Sequence, residues 1–71
     1  MPITVQELEK RFTYHPPKTG QPQRYQTLRD EAADLAGVIV ASTPESREQS
    51  LALTHLEEAV MWANAAIARN E

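Results

Sequence analysis

Between Lys10 and Arg29 the chain carries five basic side chains (Lys10, Arg11, Lys18, Arg24, Arg29) and no acidic one, interleaved with Tyr14, Tyr25, His15 and the pair Pro16-Pro17. The rest of the sequence sets two basic residues, Arg47 and Arg69, against all ten acids, and the net charge is -3. Guanidinium and ammonium groups neutralise and hydrogen-bond phosphate, and flat rings stack on nucleobases. Positive charge gathered around rings in an otherwise acidic chain points to a pocket for a small nucleotide anion. A DNA or RNA coat needs a broad basic face, which this composition does not supply, so neither polymer is an expected partner.

Each of these residues has a plainer use as well. Tyr14 lies in a proline-rich loop beside basic residues, where a stacking role is natural, whereas Tyr25 falls on an apolar stripe that suits core packing. His15 can donate to a phosphate or hold the loop in place. Pro16 stiffens that loop, and Lys18 adds charge to it. Arg29 lies one helical turn beyond Tyr25 and can reach phosphate from a rigid element, or pair in solvent with Asp30 or Glu31. Other chemistry finds little support. His55 and Glu58 are spaced i, i+3, but no second pair completes a metal site. Glu57 and Glu58 are adjacent and diverge on a helix. Ser42, Ser46 and Ser50 lack a base for a triad, and there is no glycine-rich phosphate loop. No metal, cofactor or catalytic residue is expected, and the chain does not read as an enzyme.

The elements that must position these groups are helical. Thr4 and Glu7 make a capping-box pattern, which predicts a short helix over residues 4–11, docked through Val5, Leu8 and Phe12. Pro16, Pro17 and Gly20 break the chain, so residues 12–21 form the candidate binding loop. Pro22 suits the first turn of a second helix over residues 22–41, with the apolar stripe Tyr25, Leu28, Ala32, Leu35 and Ile39. Gly37 within it would allow a close helix contact. Thr43 as cap and Pro44 at the first helical position predict a third helix over residues 44–69, with the stripe Leu53, Leu56, Val60, Ala63 and Ile67. Two long helices joined by so short a turn fold back as an antiparallel hairpin. The expected fold is all-α, a single domain over residues 1–71.

A lone hairpin does not satisfy this sequence. Beyond its stripe, the third helix carries Met61, Trp62, Ala65 and Ala66, and it is apolar nearly all round in its C-terminal half. A helix that is apolar on all sides is buried on all sides. A chain of 71 residues with no cysteine to brace it has little else to bury such a helix against. Self-association through Met61, Trp62, Ala65 and Ala66 is the expected remedy. The lack of cysteine fits a reducing compartment. The start of the chain lacks the features of a signal peptide. The apolar run 59–68, broken only by Asn64, falls short of the ~20 residues a bilayer requires. A cytoplasmic protein with no membrane partner is expected.

Three segments carry a resemblance to a known family: F-T-Y-H-P-P-K, P-x-S-R-E-x-S-L-A-L and L-E-E-A-V-M-W-A-N-A-A-I-A-R. Over about residues 10–70 the chain resembles the phage anti-CBASS cyclic-oligonucleotide sponges, whose hairpin recurs in phage anti-Thoeris sponges. The resemblance implies compact, interlocked helical homohexamers without catalytic activity. These would bind cyclic dinucleotides, such as cyclic GMP–AMP, and cyclic trinucleotides in the host bacterial cytoplasm, so that immune effectors are not activated. It also implies that Tyr14 stacks on a cyclic dinucleotide and that Arg29 contacts its phosphate, where the family often has lysine. Arg69, with its neighbour Asn70, is implied for cyclic trinucleotides at a separate site. Two rivals are an oligomeric interaction protein that binds a host protein, and a phosphodiesterase, which would need a metal cluster or an activated nucleophile.

Overall fold

The computed structural model describes residues 2–71, which form three helices: α1 (Val5–Phe12), α2 (Gln21–Ser42) and α3 (Arg47–Asn70). No strand occurs among the described residues. Thr4 caps α1, its hydroxyl accepting from the Glu7 backbone N–H at 3.1 Å. The reciprocal half of the capping box is not made. The Glu7 carboxylate instead accepts from Arg11 Nε one turn on, at 3.0 Å.

Gly20 opens α2 from a left-handed conformation, φ 84°, which only glycine adopts without steric cost. The helix therefore starts at Gln21, with Pro22 inside the first turn, where its missing N–H is not needed. The opening of α3 departs further from expectation. Residues 44–46 are not helical, and the cap is Ser46 rather than Thr43, its hydroxyl accepting from Gln49 N at 3.1 Å. Thr43 is committed elsewhere. Its hydroxyl donates back to Ile39 O at 2.7 Å, and it receives the Gln49 amide on both its carbonyl (3.1 Å) and its hydroxyl (3.0 Å). Pro44 thus lies in a connection that closes one helix before the next begins.

In the hairpin, α2 and α3 pack along their length. The α3 stripe is seated as expected, with Leu53, Leu56, Val60, Ala63 and Ile67 all half-buried. On α2 the seam runs through Tyr25, Leu28, Ala32, Ala36 and Ile39, and Leu35 is exposed. A step of four from Ala32 keeps closer to the 3.6-residue period here than the expected step of three. Gly37 meets no close neighbour, since a Cβ built there would find nothing within 4 Å.

Helix α1 does not dock through its apolar residues. Val5, Leu8 and Phe12 are exposed, Phe12 at 83%, while Glu7 and Lys10 are the half-covered positions of this helix. A bond from His15 Nε2 to Lys10 O, 2.8 Å, ties the end of α1 to the following loop and fixes its facing.

No apolar residue among the described residues is fully buried. The radius of gyration is 15.6 Å, against about 11 Å for a compact domain of this length. The chain measures 45 × 33 × 15 Å, so it is little more than one helix thick. The one buried residue among those described is polar: Gln21, 4% exposed, at the start of α2. No helix among the described residues is long and apolar enough to cross a membrane.

Candidate functional site

The first half of α2, the last turns of α3 and the loop between α1 and α2 border a shallow, open concavity of about 350 Å³. His15, Tyr25, Arg29, Asn64 and Arg69 line it, with Ala65 and Ala68 as floor. That volume lies at the low end of the range for small-molecule sites. A larger groove of about 600 Å³ continues from it along the hairpin, sharing Arg29 and Asn64 but otherwise lined mainly by apolar residues such as Ala32, Ala36, Leu56 and Met61. A third concavity of about 230 Å³ shares Arg69 and Ala65 with the first and is otherwise bounded by Glu7, Lys10, Trp62, Ala66 and Asn70. Arg69 thus borders both hollows, together with a further one of about 410 Å³ that His15 and Lys10 also line.

The basic residues divide by what they bind. Arg24 holds the Glu71 carboxylate with two parallel bonds of 2.7 Å, Lys18 Nζ donates to the Glu71 carbonyl, and Gln21 Nε2 approaches the same carboxylate at 3.4 Å. Arg11 is paired with Glu7. Arg29 has no carboxylate. Its guanidinium donates to Gln26 Oε1 at 2.8 Å, while Asp30 accepts from the Gln26 amide at 2.7 Å, so the glutamine separates the two charges. Among the described residues Arg69 also forms no ion pair, nor does Lys10. Arg47, at the start of α3, is likewise without a carboxylate but lines none of these concavities; Arg29, Arg69 and Lys10 do, and their unneutralised charge can meet an incoming phosphate.

The bonded cluster around Glu71 joins the end of α3 to the loop and to the start of α2. Hydrogen bonds from Arg24 hold the Glu71 carboxyl below its ordinary value; partial burial opposes this, and Gln21 and the charges of Arg24 and Lys18 add to it. The same bonds and charge hold Arg24 above its own ordinary value. A carboxylate whose folded pKa is depressed contributes stability above its unfolded pKa and loses it as pH falls through the folded one. The junction is accordingly expected to stay closed at neutral pH and to open only below the usual glutamate range. Following the Lys18 amide by NMR through an acid titration should show this step, and Glu71→Gln should abolish it. A midpoint at or above the ordinary glutamate value would refute the assignment.

Of the residues singled out for cyclic dinucleotides, His15 and Arg29 face the same concavity. Since the Lys10 carbonyl can only accept, His15 Nε2 carries the proton, and the ring positions the loop. Tyr14 is 79% exposed and does not line this concavity. Pro16 is exposed beside it, and Lys18 is turned to Glu71. Arg69 joins Arg29 rather than standing apart, and it also meets Asn70 in the third concavity. Tyr25, which the stripe assigns to the core, is half-buried and also forms a wall of the site. Asn64 was not foreseen, although it is the one polar residue in the run 59–68.

The fold is thus a thin helical hairpin whose hollows are walled by rings and bordered by guanidinium groups without carboxylate partners. The chain matches the family model described as the Acb2/Tad1 hairpin domain over residues 5–68, and it belongs to that family, the anti-CBASS and anti-Thoeris sponges. The family is known for taking up cyclic nucleotides. No curated protein and no solved structure matches the chain.

Proposed function

We propose that this chain is a phage anti-defence sponge that binds cyclic di- and trinucleotide messengers and withholds them from CBASS effectors. The observation that carries this reading is the convergence of Arg29 and Arg69, both free of carboxylate partners, on one concavity walled by Tyr25 and His15. Family membership supplies the ligand class. The guanidinium groups take the phosphates, and the exposed ring of Tyr14 is free to stack on a base. Arg69 with Lys10 and Asn70 provides a second anion-binding hollow, suited to the trinucleotide.

The working form is a homo-oligomer, a hexamer by its resemblance to the family. Single-chain hollows of this size leave most of a cyclic dinucleotide uncovered, whereas small-molecule sites bury most of their ligand. Neighbouring chains close the hollows, and a pocket shaped in advance by subunit packing limits the ordering entropy of binding. The activity is sequestration by mass action in the host cytoplasm, with no covalent step. A protein in excess over the messenger, with a dissociation constant below the effector's threshold, drains the free pool.

One experiment separates this from its rivals. The protein is incubated with cyclic GMP–AMP, desalted and denatured, and the released nucleotide is chromatographed. A sponge returns intact ligand and a phosphodiesterase returns fragments. A protein that only binds a host protein returns nothing.

A further inference from the structure

Asn64 sits where the ring-walled concavity and the apolar groove meet, and it lines both. Its Oδ1 is buried and has no hydrogen-bond donor, the one side-chain atom among the described residues in that condition. The other asparagine of α3 behaves differently: Asn70 turns its amide onto the Ala66 carbonyl of its own helix, at 2.9 Å. Asparagine is a poor helix former, and a buried acceptor without a donor destabilises the fold. Between Ala63 and Ala65 an alanine would avoid both costs. The two arginines beside it, Arg29 and Arg69, are donors suited to phosphate. An amide oxygen cannot serve phosphate, because acceptor would face acceptor. What it lacks is an N–H or O–H donor, which a molecule seated in the hollow can bring.

We propose that Asn64 is a ligand-contacting, specificity-determining residue whose Oδ1 accepts a hydrogen bond from an N–H of a nucleobase. This rests on the sponge reading given above and extends it. Stacking tolerates any base, and phosphate contacts carry no base information. A fixed acceptor in an apolar wall does carry it, because a base edge that offers no donor there leaves the amide unpaired. Arg29 and Asn64 flank the same hollow, so phosphate and base edge of one nucleotide are held from α2 and α3 respectively.

The test is calorimetric titration of the assembled wild-type protein, Asn64→Leu and Asn64→Ala with cyclic GMP–AMP and with its counterpart lacking the free ribose hydroxyls. Both variants should keep wild-type oligomer size and helicity, and both should bind cyclic GMP–AMP at least about tenfold more weakly, equivalent to ~1.4 kcal/mol. The deoxy ligand should show the same loss. If the loss disappears with the deoxy ligand, the donor is a ribose hydroxyl and the base-contact assignment is wrong. Unchanged affinity in both variants shows that the amide touches no ligand. Dissociation of both variants shows that its donor belongs to a neighbouring chain. A wild-type protein that binds neither ligand overturns the sponge reading itself, an outcome distinct from the other three.

Discussion

Trp62→Glu is expected to reduce the proposed oligomer to single chains and to lower the melting temperature sharply. In the single chain Trp62 is 64% exposed and Met61 is 62% exposed, at successive positions of α3 that face different directions. Across the molecule Val5, Leu8 and Phe12 of α1 and Leu35, Val38 and Val40 of α2 are exposed as well. Large apolar surfaces of this kind mark sites of association. Truncating a buried Phe or Trp costs about 3–5 kcal/mol, and a carboxylate in an apolar interface adds its own desolvation. Even the lower figure weakens association by about two powers of ten. Light scattering coupled to size exclusion, without ligand, reads the result. Should Trp62→Glu elute at the wild-type mass and melt unchanged, the C-terminal half of α3 is not a subunit contact.

The same exposed residues explain which parts of the architecture could be read from sequence. The α3 stripe was legible because Leu53, Leu56, Val60, Ala63 and Ile67 pack within one chain, where a 3.6-residue period governs. Docking of α1 through Val5, Leu8 and Phe12 was read from the same kind of pattern and is not what the chain does. An apolar stripe states that a face needs cover without stating which molecule provides it. The boundary at Pro44 failed for a local reason. Thr43, Pro44 and Ser46 all carry helix-start signals, and what decides among them is the side chain of Gln49, six residues beyond Thr43.

Charge was legible as a cluster but not as a site. Of the five basic residues between positions 10 and 29, Arg11, Lys18 and Arg24 are engaged by Glu7 or Glu71, and Arg29 is the member that borders the ring-walled concavity. The partner that removes Lys18 and Arg24 lies some fifty residues away. Sequence proximity to Tyr14 therefore said less about the site than the fold-back of α3, which delivers Arg69 and Asn64 to it.

Arg29 and Arg69 should separate the two ligand classes unequally. Two independent pockets would make the variants mirror images, with Tyr14→Ala sparing cyclic trinucleotides and Arg69→Ala sparing cyclic dinucleotides. The place of Arg69 on both hollows changes the second half of that expectation. Arg29 borders the hollow with His15 and Tyr25 but not the one with Lys10 and Asn70, whereas Arg69 borders both. A hydrogen bond to a charged group contributes about 1.5–3 kcal/mol, so its loss weakens binding by roughly one to two powers of ten. Arg29→Ala should therefore weaken cyclic GMP–AMP at least about tenfold and leave a cyclic trinucleotide near its wild-type affinity. Arg69→Ala should weaken both, the trinucleotide more. Tyr14→Ala should follow Arg29→Ala, since losing one base stack costs roughly 1–3 kcal/mol. Arg29→Lys should recover part of the loss, because it restores the charge without the planar fork. Calorimetry on the four variants, with oligomer size monitored in each, decides the matter. Equal losses for both ligands in Arg29→Ala, together with full mutual displacement on the wild-type protein, would mean that the two hollows act as one pocket.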